Sequence, residues 1–321
     1  DYRANTIVDY GTLNAFVLVD SNDQPRFPPR DGTEGTAESL TANEVKTIIR
    51  NALAIAFRAR GQIRRPLGSH AQVTVSIVDT NGAILGIART PDGPVFGTDV
   101  SLQKARTAAF FSNTNAAADL IRGNLGNYWL AAQAVLGPGA LSDGTAFADR
   151  SGGNLSRPFF PDGIDGAPHG PFSKPFAEWS PFNVGLQLDL IAANIVAHRS
   201  FLLGQSPTDT TMNCTPIPVR PQTSKSPIAN GIQIFPGSVP IYRNNTLIGG
   251  IGVSGDGIDQ DDMISFLGLH NAGLELRTGV GNAPRSIRAD NLEVPGGRLR
   301  YVNCPFLPFL DSNEQTPCNG K

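Results

Sequence analysis

Neither sign of charge is in excess in this sequence. Across 321 residues, 26 Lys and Arg face 28 Asp and Glu, for a net charge of −2. A nucleic-acid binder needs a basic patch or stripe to neutralise phosphates, so no nucleic-acid partner is expected. Long apolar runs are missing too. The longest fall well short of the roughly 20 residues that cross a bilayer, and no membrane span is expected. Cysteine is scarce: Cys214, Cys304 and Cys318 are the only three. None stands in a C-x-x-C or C-x-x-C-H spacing, which removes a zinc knuckle and a covalently attached c-type haem.

What is present is enough apolar material, 40% of residues, for a large core in one elaborated domain or two. Cys304 and Cys318 flank a Pro-rich tail without obvious regular structure, the kind of segment a covalent staple helps most. A disulfide between two of the three cysteines is expected. The sequence starts at Asp1 without an apolar leader, which fits a mature protein whose leader has been removed. Together these features predict an exported protein, periplasmic or extracellular. Asn154, Asn213 and Asn244 each stand in an N-x-S/T pattern.

The first 20 residues read as strand, and the polar, Pro- and Gly-containing residues 21–37 read as a linker. A helix over 41–60 follows. Thr41 and Glu44 form a capping box, Leu40 and Val45 a hydrophobic staple, and Val45, Ile48, Ile49, Ala52, Leu53 and Ala56 keep helical spacing. Val73, Val75 and Ile77 alternate with Thr74 and Ser76, the period of a half-buried strand. Asn81-Gly82 predicts the tight turn of a hairpin to Ala83–Arg89. A second helix is predicted over about Asp99–Phe111. Residues 112–230 are loop-rich and read as an insertion or a small second domain, with one clear helix over 183–203. A further hairpin turns at Asn244-Asn245, and residues 270–321 read as an arm lying on this subunit or a neighbour.

The run "GGIGVSGDGIDQDDMISFLGL" (249–269) raises the sharpest question. It has no Walker Lys, and its Asp256, Asp259, Asp261 and Asp262 match neither an EF-hand nor a calcium repeat. It reads instead as a strand, a glycine turn and a helix capped by Asp259, with Asp262 at the third helical position and Ile258 and Met263 as the staple. Gly249, Gly250 and Gly252 would let another backbone or a flat ligand approach closely.

Three segments, "VTVSIVDTNGAILGIART", "DVSLQKARTAAFF" and "FPGSVPIYRNNTLIGGIGVSGDGIDQDDMISFLGL", resemble the successive motifs of the GlcG/HbpS-like haem-binding family, which includes the C-terminal domain of PduO-type proteins. The resemblance covers about 40–111 and 232–269. It implies an α+β domain, 38–111 with 231–269, having a central antiparallel sheet flanked by helices in profilin- or PAS-like layering. It also implies assembly into oligomers and, as in several members, noncovalent haem binding, with links to haem degradation.

Haem asks for a flat apolar slot, cations for its propionates and an axial His, Met, Cys or Tyr. Lys104 and Arg106 are the candidate cations, Phe110 a candidate wall, and Gly252 and Ser254 part of the glycine strand. The helix over 41–60 lacks the His that some family members carry there, which leaves His198 and His270 as candidate ligands. No catalytic constellation emerges: "GVSGDG" brings its second Gly one residue too early for a nucleophile elbow at Ser254. Two functions follow. One is an exported protein binding haem or a similar small flat ligand, within a homo-oligomer or larger assembly. The other is a non-catalytic assembly subunit that uses its insertion and arm for contacts.

Overall fold

The computed structural model describes residues 1–181, 184–210 and 214–321, so Asn213 and the predicted helix start at Asn183 lie outside the described residues. In chain order the elements are β1 (Tyr2–Ala4), α1 (Ile7–Tyr10), β2 (Phe16–Leu18), α2 (Ala42–Arg58), β3 (Thr74–Val78), β4 (Ile84–Arg89) and α3 (Gly97–Phe111). Then come α4 (Ala116–Arg122), α5 (Gly126–Leu136), α6 (Asp149–Leu155), α7 (Leu186–Leu202), β5 (Ser238–Arg243), β6 (Thr246–Ser254), α8 (Ile258–Leu276), β7 (Val280–Asn282), β8 (Glu293–Val294) and β9 (Gly297–Arg298). Seven strands form one sheet in the order β1-β2-β4-β3-β6-β5-β7, every neighbouring pair antiparallel. The fold class is α+β, as expected. Among the described residues no helix is long and apolar enough to cross a membrane.

Helix α2 starts where the capping box predicts. The Thr41 hydroxyl accepts from the Glu44 amide at 3.3 Å, and the Glu44 carboxylate accepts from the Thr41 amide at 2.9 Å. Glu44 also receives Arg243 at 2.8 and 2.9 Å and Thr278 at 2.7 Å. Burial works against its charge, but these donors outweigh it and pull the carboxyl down to about 2. One face of the sheet meets α2 and α8 across the main core, where Val45, Ile48, Leu53, Val75, Ile77, Ile251 and Val253 are all buried.

The other face takes α3, so β3 is buried on both sides rather than half-buried. There Val78 packs on Leu102, Ala105 and Ala109, and the Ser76 hydroxyl bonds that of Ser101 at 2.7 Å. The α8 start differs from expectation as well. Its cap is Gly257, with no side-chain cap bond, and Ile258 is the first helical residue. Asp259 and Asp262 are instead drawn to Arg150, at 2.5 Å each.

Residues 112–230 carry α4, α5 and α6 besides α7, none of which has the apolar periodicity that identifies longer helices. They form a second core that nucleates on Phe110 and Phe111 at the end of α3, with Leu120, Phe147, Leu155, Phe172 and Leu190. Residues 21–37 run along β4 as a strap. The Ile87 amide donates to the Phe27 carbonyl at 3.2 Å, the Arg30 amide to Leu85 at 2.9 Å, and the Thr33 hydroxyl to Asp79 at 2.6 Å.

The C-terminal arm is stapled by a Cys304–Cys318 disulfide, while Cys214 is free and exposed. Half-buried Cys304 and Cys318 pack on the edge of the main core. Replacing both by Ser is expected to lower unfolding free energy by about 3 kcal/mol, the chain-entropy value for a loop of about 15 residues. Urea unfolding of the variant, and of the parent with and without reductant, measures this.

Candidate functional site

The glycines of β6 seat a helix. A Cβ on Gly252 would lie 2.0 Å from the Ser101 carbonyl oxygen, and one on Gly250 would lie 2.2 Å from that of Ala105. The close approach that the sequence allows is therefore made by the backbone of α3, which covers Gly252. Seated there, α3 carries Lys104 into the interior. Its ammonium donates to the Val253 carbonyl and to Asp261 Oδ2, both at 2.9 Å. The buried Ser254 follows on the same strand, so Lys104, Gly252 and Ser254 are brought together.

Around Lys104 is a dense buried charge cluster. Asp261 and Asp262 come from α8, and Asp149 and Arg150 from α6 of the insertion. Burial dominates for all three carboxyls. It pushes Asp261 and Asp262 up to about 6 despite Lys104 and Arg150, and holds Asp149 well above the usual carboxylate range. Both oxygens of Asp149 lack a hydrogen-bond partner, as does Oδ1 of Asp262. The cluster joins α6 to α3 and α8, and Lys104, Asp149, Asp261 and Asp262 are buried in it.

Two residues on from Lys104, the helix points Arg106 the other way, into a cavity of about 500 Å³. Its guanidinium donates from Nε to the Gly82 carbonyl at 2.9 Å and from Nη1 to Asn230 at 2.5 Å. Gly82 has φ 74°, and a Cβ there would lie 2.2 Å from the Pro227 carbonyl oxygen, so only glycine lets the insertion close on this turn. Around the cavity stand Arg26 and Arg30 from the strap and Lys225 from the insertion, with Phe27 and Ile84 as apolar wall. Arg30 Nε donates to the Ile84 carbonyl at 2.5 Å. No carboxylate of the described residues forms an ion pair with Arg26, Arg30, Arg106 or Lys225, and none lines the cavity. Burial pulls the Arg106 guanidinium down to about 10, still fully charged at neutral pH, with Asp99 and Asp79 near enough to offset part of that cost.

The remaining predicted residues lie apart. Phe110 is core, with its ring 5.5 Å from that of Phe111. His198 is exposed on α7 and bonds Asp209 at 2.8 Å. His270 sits partly buried on α8, where burial and the nearby Lys321 and Arg288 hold its pKa below the usual value. Neither His lines the Arg106 cavity. Among the described residues no group of three His, Cys, Asp or Glu is placed to hold a metal ion. Sequence reasoning missed Arg26, Arg30 and Lys225. The signal for the first two was "RFPPR", two cations around an aromatic and two prolines inside a stretch read as linker.

The buried carboxyls give a pH signature with a definite sign. Their folded pKa of about 6 exceeds the unfolded value of 3.8, so on acidification the folded state takes up protons first. Their contribution to stability is full below pH 3.8 and lost as pH rises through 6. Between pH 7 and 5, each should add about 1–2 kcal/mol of stability on acidification. Asp261→Asn should remove one such contribution, read as a shallower pH dependence in thermal unfolding. An unchanged slope would mean that Asp261 does not titrate in this range.

Comparison with known proteins adds a family match over part of the chain. Residues 193–269 match the family model described as haem degrading protein HbpS-like. That stretch includes 232–269 of the motifs quoted above but not 40–111. No curated protein matches the chain. Among solved structures, a PduOC–haem complex is 16% identical, covering 76% of this chain and 99% of its own, with a TM-score of 0.30. Klebsiella pneumoniae protein ORFY is also 16% identical, covering 75% and 94%, with a TM-score of 0.34. Scores this low carry no argument about shared fold or ligand. Residues 193–269, from the second half of α7 through the glycine strand into α8, are thus similar to the HbpS-like family model.

Proposed function

We propose that this protein binds a small, flat, anionic ligand of the haem type in the Arg106 cavity. The observation that carries this reading is the convergence of Arg26, Arg30, Arg106 and Lys225 on one cavity without a lining carboxylate. Of the buried cations, Lys104 pairs with Asp261, Arg89 lies over the Tyr2 ring and Arg288 over those of Phe266 and Tyr301, whereas Arg106 has no ion-pair or ring partner. A cation held out of water without one is costly, and a bound anion offsets that cost. Phe27 and Ile84 suit the apolar body of such a ligand, and the cations suit its carboxylates. The HbpS-like match supports haem as the first ligand to try. The disulfide supports an exported protein in an oxidising compartment.

Titration with haemin should give a saturable Soret band at about one haem per chain. Arg106→Gln should weaken binding about tenfold to a hundredfold, the range for losing one charge-assisted hydrogen bond, and Lys225→Gln, at an exposed position, by about twofold to fivefold. Lys225 is exposed, so its variant reports on binding even if the Arg106 variant is destabilised. Only unsaturable haemin uptake, or unchanged affinity in both variants, would count against the proposal.

The assembly role is favoured by a separate observation. The outer end of α7 presents Ile195, Val196, Leu202 and Leu203 to solvent, each more than half exposed. An apolar helix end of this kind is a surface for another protein surface. In light scattering after gel filtration the protein should run as an oligomer, and Leu202→Asp should shift it toward the monomer. A parent protein that is monomeric at micromolar concentration would rule the assembly role out.

A further inference from the structure

Iron ligation and charge recognition make different demands on a site, and the Arg106 cavity meets only the second. Among the described residues its walls contain no His, Met, Cys or Tyr, the side chains that take an axial position on haem iron. His198 is turned to Asp209, and His270 sits on α8 beside Lys321 and Arg288. The residues therefore fit the carboxylates and the flat body of a tetrapyrrole but not its metal. We infer that the cavity recognises a metal-independent organic polycarboxylate, held by Arg26, Arg30, Arg106 and Lys225 around a flat apolar body resting on Phe27 and Ile84. This inference rests on the ligand-binding reading of the same cavity.

The number of cations argues for more than one anionic group. The cations reach the cavity from strap, helix and insertion, so two or more carboxylates on one ligand meet them from several sides where a single carboxylate meets one. Arg106 is the buried floor, and Arg26, Arg30 and Lys225 are exposed at the rim. The floor would orient one carboxylate, while the rim contributes attraction that salt screens. The apolar wall distinguishes this ligand from a bare inorganic anion, which gains nothing from Phe27 and Ile84.

The test compares haemin with metal-free protoporphyrin on the full chain, by quenching of intrinsic fluorescence and by absorbance. The inference expects dissociation constants within about threefold of each other. Both should weaken about tenfold as salt rises from about 0.05 to 0.5 M, where screening shortens from well above 10 Å to below it. Both should weaken together in Arg30→Gln and Lys225→Gln, exposed positions at which circular dichroism checks that the fold is kept. Haemin binding at least tenfold more tightly than the metal-free ring would overturn the inference while leaving the binding reading standing. Failure of both to bind would overturn the reading itself. Inorganic pyrophosphate displacing protoporphyrin at micromolar concentration would replace the polycarboxylate with a phosphate compound.

Discussion

Helix α3 can lie flush on the sheet only because β6 presents hydrogen atoms where side chains would stand. With Gly250 and Gly252 under the Ala105 and Ser101 carbonyls, the helix sits a side chain closer than it otherwise could. That height decides where Lys104 and Arg106 go. Two helical positions apart, they point about 200° from each other around the axis. At this depth Lys104 reaches through to Val253 and Asp261, and Arg106 reaches the hairpin turn at Gly82. A bulkier β6 would lift both.

The two cations then meet different electrostatic fates. Lys104 enters a cluster with more acids than bases, Asp149, Asp261 and Asp262 against Lys104 and Arg150, and burial keeps carboxyls there protonated above their normal range. The excess proton is the cluster's own solution to an unbalanced interior. Arg106 has no comparable escape, because a guanidinium stays charged throughout the physiological range. The neighbouring Asp79 is already engaged: Thr33, Asn81 and Ala83 donate to it, and burial with the Glu34 charge holds its carboxyl above the usual range. Such asymmetry separates a paired charge cluster from a cavity whose buried cation has no ion-pair partner.

The sheet domain was legible because its signals are local. Thr41 and Glu44 cap α2 as their spacing says, the Val75–Ile77 alternation marks β3, and Asn244 takes φ 53° at its predicted turn. What failed depended on distance. Asp259 looked like a cap because Arg150, more than a hundred residues earlier, was invisible to it. The Gly249–Gly252 run allowed a backbone or a ligand equally well, and only the placement of α3 decides. Lys104 and Arg106 looked alike on a helix whose neighbours were unknown. The strap at 21–37 was read as linker because most of its bonds to β4 come from main chain, which composition does not show.

The same distance dependence limits what a family match can carry. Of the four cations, only Lys225 lies within the matched 193–269, while Arg26, Arg30 and Arg106 lie outside it. The matched segment supplies the glycine strand that sets the height of α3. The strap and the insertion close the cavity around Arg106, the latter through Pro227 against Gly82 and Asn230 onto the guanidinium. On the proposed reading, a segment similar to the HbpS-like model is present while the ligand chemistry is set by parts of the chain that surround it. That no described residue of the cavity wall carries an iron-ligating side chain is then no contradiction of the match. It follows from building the site where the domain, the strap and the insertion meet, with cations contributed by all three.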